Sequence, residues 1–227
     1  MTGTAILVSD EQAQAWAQKY IPPVAGALDF FNLGSSAISS ARRTKNWGSE
    51  TNALVLAGGA ALAAVGIENA STTVDSRCTM RATTPTSFTA VGILDVAENA
   101  GVLRVADIRL VTTSDKKLKR IIPAGQATIS TALPASGAVI YFVQGDTTGH
   151  RFGFITNDGI ISLSSTAVGD STKASYIGGS TESGQVAAPY KAYGATVYGS
   201  VLSDSDLLLI AERLYRYTAG FGVTVNG

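Results

Sequence analysis

From about Gly26 onward the chain alternates apolar and polar positions, with turn-forming residues about every eight to twelve positions. Alternation at period two is typical of β-strands that bury one face. Between positions 77 and 82, Cys78 and Met80 alternate with the polar residues Thr79 and Arg81. This pattern predicts strands at 77–82, 87–96, 101–112, 126–132, 138–144, 151–156, 160–165, 175–178 and 191–201. We therefore expect an all-β fold, an antiparallel two-sheet sandwich.

Some of these segments predict their own place in the sheets. Residues 87–96 are apolar on both faces, which is typical of a central strand. Asn157-Asp158-Gly159 tolerates positive φ and predicts a hairpin between 151–156 and 160–165. Residues 53–67 contain Gly58-Gly59, and they predict two short strands around a turn. They are too few to span a bilayer, which needs roughly 20 apolar residues.

A short helix is predicted at each end of the chain. Residues 12–20 follow the cap candidates Ser9 and Asp10 and end before Pro22-Pro23. Ser203 and Asp206 have capping-box spacing, and they precede an apolar stripe at Leu207, Ile210, Ala211 and Leu214. These signals divide the chain into an N-terminal helical arm, 1–25, and a β domain, 26–227. The arm packs on its own domain or docks to a larger assembly, and the apolar tail 221–225 is a last strand or an intersubunit contact.

Composition narrows the classes of function. Seventeen basic and seventeen acidic residues cancel, and only 15% of residues are charged, so no global field attracts nucleic acid or an anionic membrane. The one basic run predicts a solvated turn or a charged strand edge; its members are Lys116, Lys117, Lys119 and Arg120. The first residues lack the basic and apolar regions of a secretory signal. We expect neither nucleic-acid binding nor membrane insertion.

Candidate catalytic chemistry is sparse. Cys78 and His150 are the only cysteine and histidine, so an intrachain disulfide and the usual zinc sets are excluded. A nucleophile elbow, a P-loop and a dinucleotide fingerprint are absent from the sequence. Acidic and amide residues in loops are expected to form turns and not a calcium site; they are Asp146, Asn157, Asp158 and Asp170. We predict no cofactor, no metal and no enzymatic activity.

Three segments together carry a family resemblance. The strand 191–201, followed by Leu202-Ser203-Asp204 and a helix, resembles the end of concanavalin A-like (laminin G-like) jelly-roll domains. Residues 87–91 look like an early central strand of that family, and 176–179 resemble its hydrophobic-Ile-Gly-Gly strand. The likeness spans roughly 26–217 and implies a jelly roll. That family includes lectins and glycoside hydrolases, and the Glu-x-Asp-x-Glu run of its hydrolases is absent here.

The resemblance and the composition together suggest a function. A Gly/Ala/Ser/Thr-rich β domain with an arm and an apolar tail is similar to lectin-like modules of bacteriophage virion proteins. By that analogy we expect a tail-associated virion protein that forms a homo-oligomer, contacts other virion proteins through its arm and tail, and takes a cell-surface glycan as its candidate ligand. Alternatives are a capsid decoration (cement) protein and a glycoside hydrolase using Asp95, Glu98 or Asp107.

Candidate glycan contacts combine a ring or an amide with a polar tip. The residues that fit this description are Trp47, His150, Asn157, Tyr190 and Tyr193. We expect such contacts on exposed loops, His150 among them. The alternative for each residue is packing inside the sandwich, which is commoner for large aromatic residues.

Overall fold

A computed structural model describes residues 21–34, 39–49, 52–71, 76–179 and 188–226. The predicted helix at 12–20, and with it most of the arm 1–25, lies outside the described residues. Among the residues that are described, α1 (Ser40–Arg43) and α2 (Asp204–Ala219) are the helices. Neither helix is long and apolar enough to cross a membrane.

Fifteen described strands form two antiparallel sheets that face each other. The eight-stranded sheet has the order β13 (Gly159–Ser165), β12 (Gly149–Thr156), β11 (Val139–Asp146), β6 (Phe88–Val96), β15 (Tyr190–Tyr198), β4 (Ile67–Asn69) and β3 (Ala61–Leu62), with β1 (Ala27–Asn32) also paired to β15. The seven-stranded sheet has the order β10 (Gly125–Ala132), β9 (Lys117–Ile122), β8 (Ile108–Thr112), β7 (Gly101–Val105), β14 (Ser175–Gly178), β5 (Arg77–Arg81) and β2 (Val55–Ala57). The predicted all-β two-sheet sandwich is confirmed.

The central strands of the eight-stranded sheet are buried on both faces. Its inner face packs on the other sheet through residues such as Phe152 and Phe154. Its outer face carries a second core, where Val91 and Ile93 of β6 lie beneath α2. The double burial of β6, predicted from its apolar sequence, thus results from a helix layer outside the sandwich.

Helix α2 begins as the sequence predicts. The Ser203 hydroxyl accepts a hydrogen bond from the backbone N–H of Asp206 at 3.2 Å, and the Asp206 carboxylate accepts one from Ser203 at 2.7 Å. This arrangement satisfies an amide that the first turn leaves without a partner. All four residues of the predicted apolar stripe are buried against the sheet.

Three strand predictions need correction. Residues 101–112 form two strands, because Ala106 and Asp107 adopt φ of +52° and +60° and close a tight turn without glycine. The two short strands within 53–67 are present, but β2 and β3 belong to different sheets, so they are not a hairpin. The tail makes one parallel bridge, between Val225 and Ala138, and packs on the second core of its own chain.

The basic run matches its two predicted placements only in part. Lys116 lies in the turn between β8 and β9, as one alternative predicted. The other three residues belong to β9, which lies between β8 and β10 and is not a sheet edge. Arg120 lies on the inner face of β9 between the buried residues Leu118 and Ile122. The Arg120 guanidinium therefore lies inside the sandwich, whereas the sequence predicted a solvated side chain.

Candidate functional site

An open groove of about 450 Å³ lies at the end of the sandwich where β6 ends and β15 begins. Its polar lining comes from β4, β6, β15 and two loops, through Glu68, Asn69, Asp95, Lys116, Ser136 and Lys191. Small apolar residues supply the remaining surface, namely Val96, Ala97, Ala135 and Pro189. This mixture of hydrogen-bonding groups and aliphatic surface is suited to a polar, uncharged ligand.

Three charged residues form a row across the groove. Lys191 pairs in register with Asp95 of β6 on one side and with Glu68 of β4 on the other. The Lys191 ammonium lies 3.7 Å from the Glu68 carboxylate. Because two strand spacings separate the acidic residues, their Cα atoms are roughly 10 Å apart. Lys191 therefore lies between the two acidic residues in the strand order, with its ammonium paired to Glu68.

Hydrogen bonds tie the groove floor to both sheets. The Ala97 N–H donates to the Pro189 carbonyl at 3.0 Å, and the Thr112 hydroxyl donates to the Ala97 carbonyl at 2.6 Å. The same hydroxyl oxygen accepts from the Ala100 N–H at 2.8 Å. A floor fixed in this way loses little conformational freedom when a ligand binds.

Asn69 stabilises the wall of the groove. Its amide donates to the Ser71 carbonyl at 3.1 Å, and its amide oxygen accepts from the Ser71 N–H at 3.0 Å. The residue is buried. Asn69-Ala70-Ser71 matches the N-x-Ser/Thr pattern of a glycosylation sequon, but its asparagine is buried and is not accessible for attachment of a glycan.

Tyr190 and Tyr193 lie at this end of the sandwich but are 3% and 4% exposed. The Tyr190 hydroxyl points into the core, 3.6 Å from the Cys78 sulfur, and only part of the side chain lines the groove. Burial, together with the negative charges of Asp95 and Glu68, raises the pKa of Tyr193 to about 12. Neither tyrosine presents a ring face for stacking, so interior packing is observed for both.

The other predicted contacts lie apart from the groove. His150 is buried near the start of β6, at the opposite end of the sheet, which corrects its predicted position on an exposed loop. Asn157 is exposed in the β12–β13 turn, at the groove end but beyond β11. Trp47 is half-buried beside β1, with the Lys45 ammonium 5.1 Å from its ring centroid. The structure therefore does not gather the five candidates into one site.

The three acidic residues of the hydrolase alternative are also separated. Asp107 lies in the β7–β8 turn at the end opposite the groove, bound to Arg104 and Arg109 at 2.7 and 3.2 Å. Glu98 is exposed in a turn, and only Asp95 lines the groove. The carboxylate that accompanies Asp95 there is Glu68, which sequence reasoning missed because only strand register brings the two together.

No group of three metal-ligating side chains (His, Cys, Asp or Glu) occurs within the described ranges. Asp146 and Asp170 each accept hydrogen bonds from a threonine two positions on, at 2.6 to 2.9 Å. These bonds hold the pKa of both carboxyls below the usual range. The predicted turn role of Asp146 and Asp170 is confirmed.

Comparison with solved structures identifies the class of fold. A Trypanosoma rangeli sialidase in complex with 2,3-difluoro-KDN superposes with a TM-score of 0.62 at 12% identity, over 86% of this chain and 33% of the sialidase. A mutant T. rangeli sialidase with trans-sialidase activity gives 0.59 at 14% identity, over 85% and 34%. The binding domain of botulinum neurotoxin DC in complex with SialylT gives 0.57 at 9% identity, over 84% and 51%. The chain has a β-sandwich fold of the kind found in these proteins.

This fold is shared with only part of each neighbour. The chain spans about a third of the sialidases and about half of the neurotoxin binding domain. No protein-family model and no curated protein sequence matches the chain. The structural comparison therefore shows a β-sandwich, and this fold by itself does not determine an activity.

Proposed function

We propose that this lectin-type sandwich is a non-enzymatic carbohydrate-binding module whose ligand lies in the end groove. The observation that carries the proposal is the row Asp95, Lys191 and Glu68 above a fixed floor. Carboxylates accept and an ammonium donates, so the row complements the hydroxyl groups of a sugar, which do both. Hydrogen bonds to charged groups are the stronger ones and favour a hydroxyl-rich ligand.

The same row argues against glycoside hydrolysis. A glycosidase positions two carboxyls on either side of the scissile bond. Here a lysine lies between Asp95 and Glu68 in the strand order, and its ammonium is paired with the Glu68 carboxylate. A cation placed between two acidic residues suits recognition of a sugar better than cleavage of its bond.

We further propose that the module belongs to a bacteriophage virion, in a tail fibre, tip or baseplate, assembled in the host cytoplasm. Support comes from the lectin-type sandwich and from the composition that it shares with virion modules. Several copies in one homo-oligomer would each make a weak glycan contact, and together they would bind a glycan-covered surface with higher avidity. A capsid decoration role is the alternative, in which the groove has no ligand.

A glycan array probed with a multivalent form of the full chain tests the binding proposal. We expect Lys191→Ala to weaken binding at least about tenfold, the usual consequence of losing a charged hydrogen bond. Lys173→Ala is a matched control, since Lys173 also lies 3.7 Å from a carboxylate, that of Asp170. The two lysine side chains have similar exposure, 51% and 54%, but Lys173 lies at the other end of the sandwich.

Two results would contradict this assignment. An absence of binding by the multivalent form across the array would leave only an architectural role. An equal effect of Lys191→Ala and Lys173→Ala would show that the groove is not the glycan-binding site.

A hydrolase remains the second candidate, because Asp95 and Glu68 share one groove and sialidases are among the structural neighbours. Incubation of the array's bound glycans with the chain tests it. Cleavage that is lost in Asp95→Asn and in Glu68→Gln would establish catalysis, and unchanged glycans would reject it.

The assembly part of the proposal has its own test. Deletion of residues 1–23 is expected to leave the β domain folded and to prevent its incorporation into particles. Normal incorporation of the truncated chain would reject the arm as the attachment segment. Antibody labelling of intact particles distinguishes a tail location from a capsid location.

A further inference from the structure

His150 and Arg120 lie inside the sandwich, at the end opposite the groove. His150 is supplied by the inner face of β12 and Arg120 by the inner face of β9. They are 4% and 7% exposed. The proposed glycan groove makes no use of either residue.

Both side chains lie against one aromatic ring. The Arg120 Cζ atom is 5.8 Å from the centroid of Phe152, and the His150 ring centroid is 6.3 Å from it. The Arg120 guanidinium donates one long hydrogen bond, 3.3 Å to the Gly125 carbonyl. Its Nε is buried without a hydrogen-bond partner. The guanidinium is therefore stacked but incompletely satisfied.

The histidine tautomer follows from one contact. His150 Nδ1 lies 2.6 Å from the Ala167 carbonyl oxygen, which can only accept, so Nδ1 carries the proton. In the neutral ring, Nε2 then carries no proton and could only accept a hydrogen bond. It is buried without a hydrogen-bond partner. Protonation would convert Nε2 into a second unsatisfied donor near the same Phe152 ring that Arg120 contacts.

The surroundings contain no counter-charge for these donors. Gly125 of β10 and Ala167 after β13 contribute carbonyl oxygens, and Phe152 of β12 contributes a ring. Within the part of the chain that the structure describes, no carboxylate lies within ion-pair distance of Arg120 or His150. A buried charge of this kind is costly unless an opposite charge joins it.

We propose that Arg120 and His150 bind one small monovalent anion, a carboxylate or a halide, together with one proton. The proton goes onto His150 Nε2, and the anion accepts hydrogen bonds from that N–H and from the Arg120 Nε–H. Burial and the Arg120 charge lower the pKa of His150 in the empty site. The bound anion opposes both effects, so each ligand strengthens the binding of the other.

The chain's single histidine makes the test unambiguous, because one imidazole signal reports the site. Formate is titrated into the full chain and followed by NMR of the His150 ring, with ionic strength held constant by a bulky sulfonate salt. We expect a saturable shift below about 100 mM formate, and an affinity at least about tenfold higher at pH 5.5 than at pH 7.5, as coupled uptake of one proton requires. Chloride is expected to act in the same way.

Arg120→Met is expected to abolish the shift, while Lys119→Met keeps it. Lys119 directly precedes Arg120 in β9 and lies on the outer face, so its variant removes the same charge outside the site. If Arg120→Met does not fold, His150→Gln is used with thermal unfolding as the measurement. Formate at pH 5.5 is then expected to raise the Tm of the wild-type protein more than that of the variant.

Three results would overturn the site. The first is the lack of a saturable change in the His150 NMR signal with formate or chloride. The second is a formate affinity that does not depend on pH. The third is equal stabilisation of the wild-type protein and His150→Gln by formate.

Discussion

Arg81 Nη1 lies 2.8 Å from Asp29 Oδ2 and joins the two sheets through a buried carboxylate. Asp29 belongs to β1 of the eight-stranded sheet and Arg81 to β5 of the other. Asn46 Nδ2 donates a hydrogen bond to the other carboxylate oxygen, Asp29 Oδ1, at 2.5 Å. Burial raises the pKa of Asp29, while the bonds from Asn46 and Arg81 oppose that rise. Asp29 and Arg81 therefore link the two sheets at a buried site that disfavours the charged form of the Asp29 carboxyl.

Asp29→Ala is expected to reduce the free energy of unfolding by about 3 kcal/mol, because it leaves Arg81 and Asn46 without their acceptor. Urea unfolding of the variant measures this loss. Asp170→Ala removes an exposed carboxylate that is also ion-paired, and it is expected to stay close to wild type. Equal losses of unfolding free energy in the two variants would show that the Asp29–Arg81 pair contributes no more stability than an exposed ion pair.

Gly178 lies beneath the ring of Tyr190 with φ of +70°. A Cβ atom there would come within 2.4 Å of two ring carbons. Gly178→Ala is therefore expected to destabilise the fold by about 3 kcal/mol, through backbone strain and overpacking together. Gly222→Ala is the control for strain alone, since Gly222 has φ of +75° in open space. Similar losses in both would mean that the Tyr190 ring moves aside freely.

His150 should make stability depend on pH in buffers without small anions. Burial, with a further contribution from Arg120, places the folded pKa below the ordinary 6.5. The unfolded chain thus takes up a proton near pH 6.5 while the folded chain does not, so stability is lost as pH falls from 6.5 toward the folded pKa. Between pH 7.5 and pH 5.5 the loss is expected to be about 1 kcal/mol larger in the wild-type protein than in His150→Gln. The same loss in both proteins would show that His150 does not cause the pH dependence of stability.

Cys78 is expected to resist thiol reagents in the folded protein. It is buried, and burial raises its pKa to about 11, so the thiolate is scarce at pH 8. Labelling with Ellman's reagent should be at least about 100-fold slower in buffer than in denaturing urea, where the thiol is exposed. Rapid stoichiometric labelling of the native chain would show that the core opens at β5.

Local patterns predicted the elements well because their causes are local. The cap at Ser203, the apolar stripe of α2 and the double burial of β6 each depend on residues near one another in the chain. Residues 101–112 were harder, since the turn at Ala106 and Asp107 has none of the glycine that usually signals it. The alternative that the basic run marks a strand edge also failed, because sheet order depends on pairing between distant segments.

The sequence by itself determined an all-β sandwich, its central strand, its capped helix and the burial of Cys78, since periodicity and side-chain chemistry act along the chain. Only the tertiary structure decided which side chains meet. Strand register placed Lys191 between Asp95 and Glu68. Packing of β9 on β12 placed Arg120 and His150 against the same Phe152 ring inside the core. Both arrangements depend on side chains far apart in sequence, because antiparallel pairing and sheet stacking, not chain distance, set their separation.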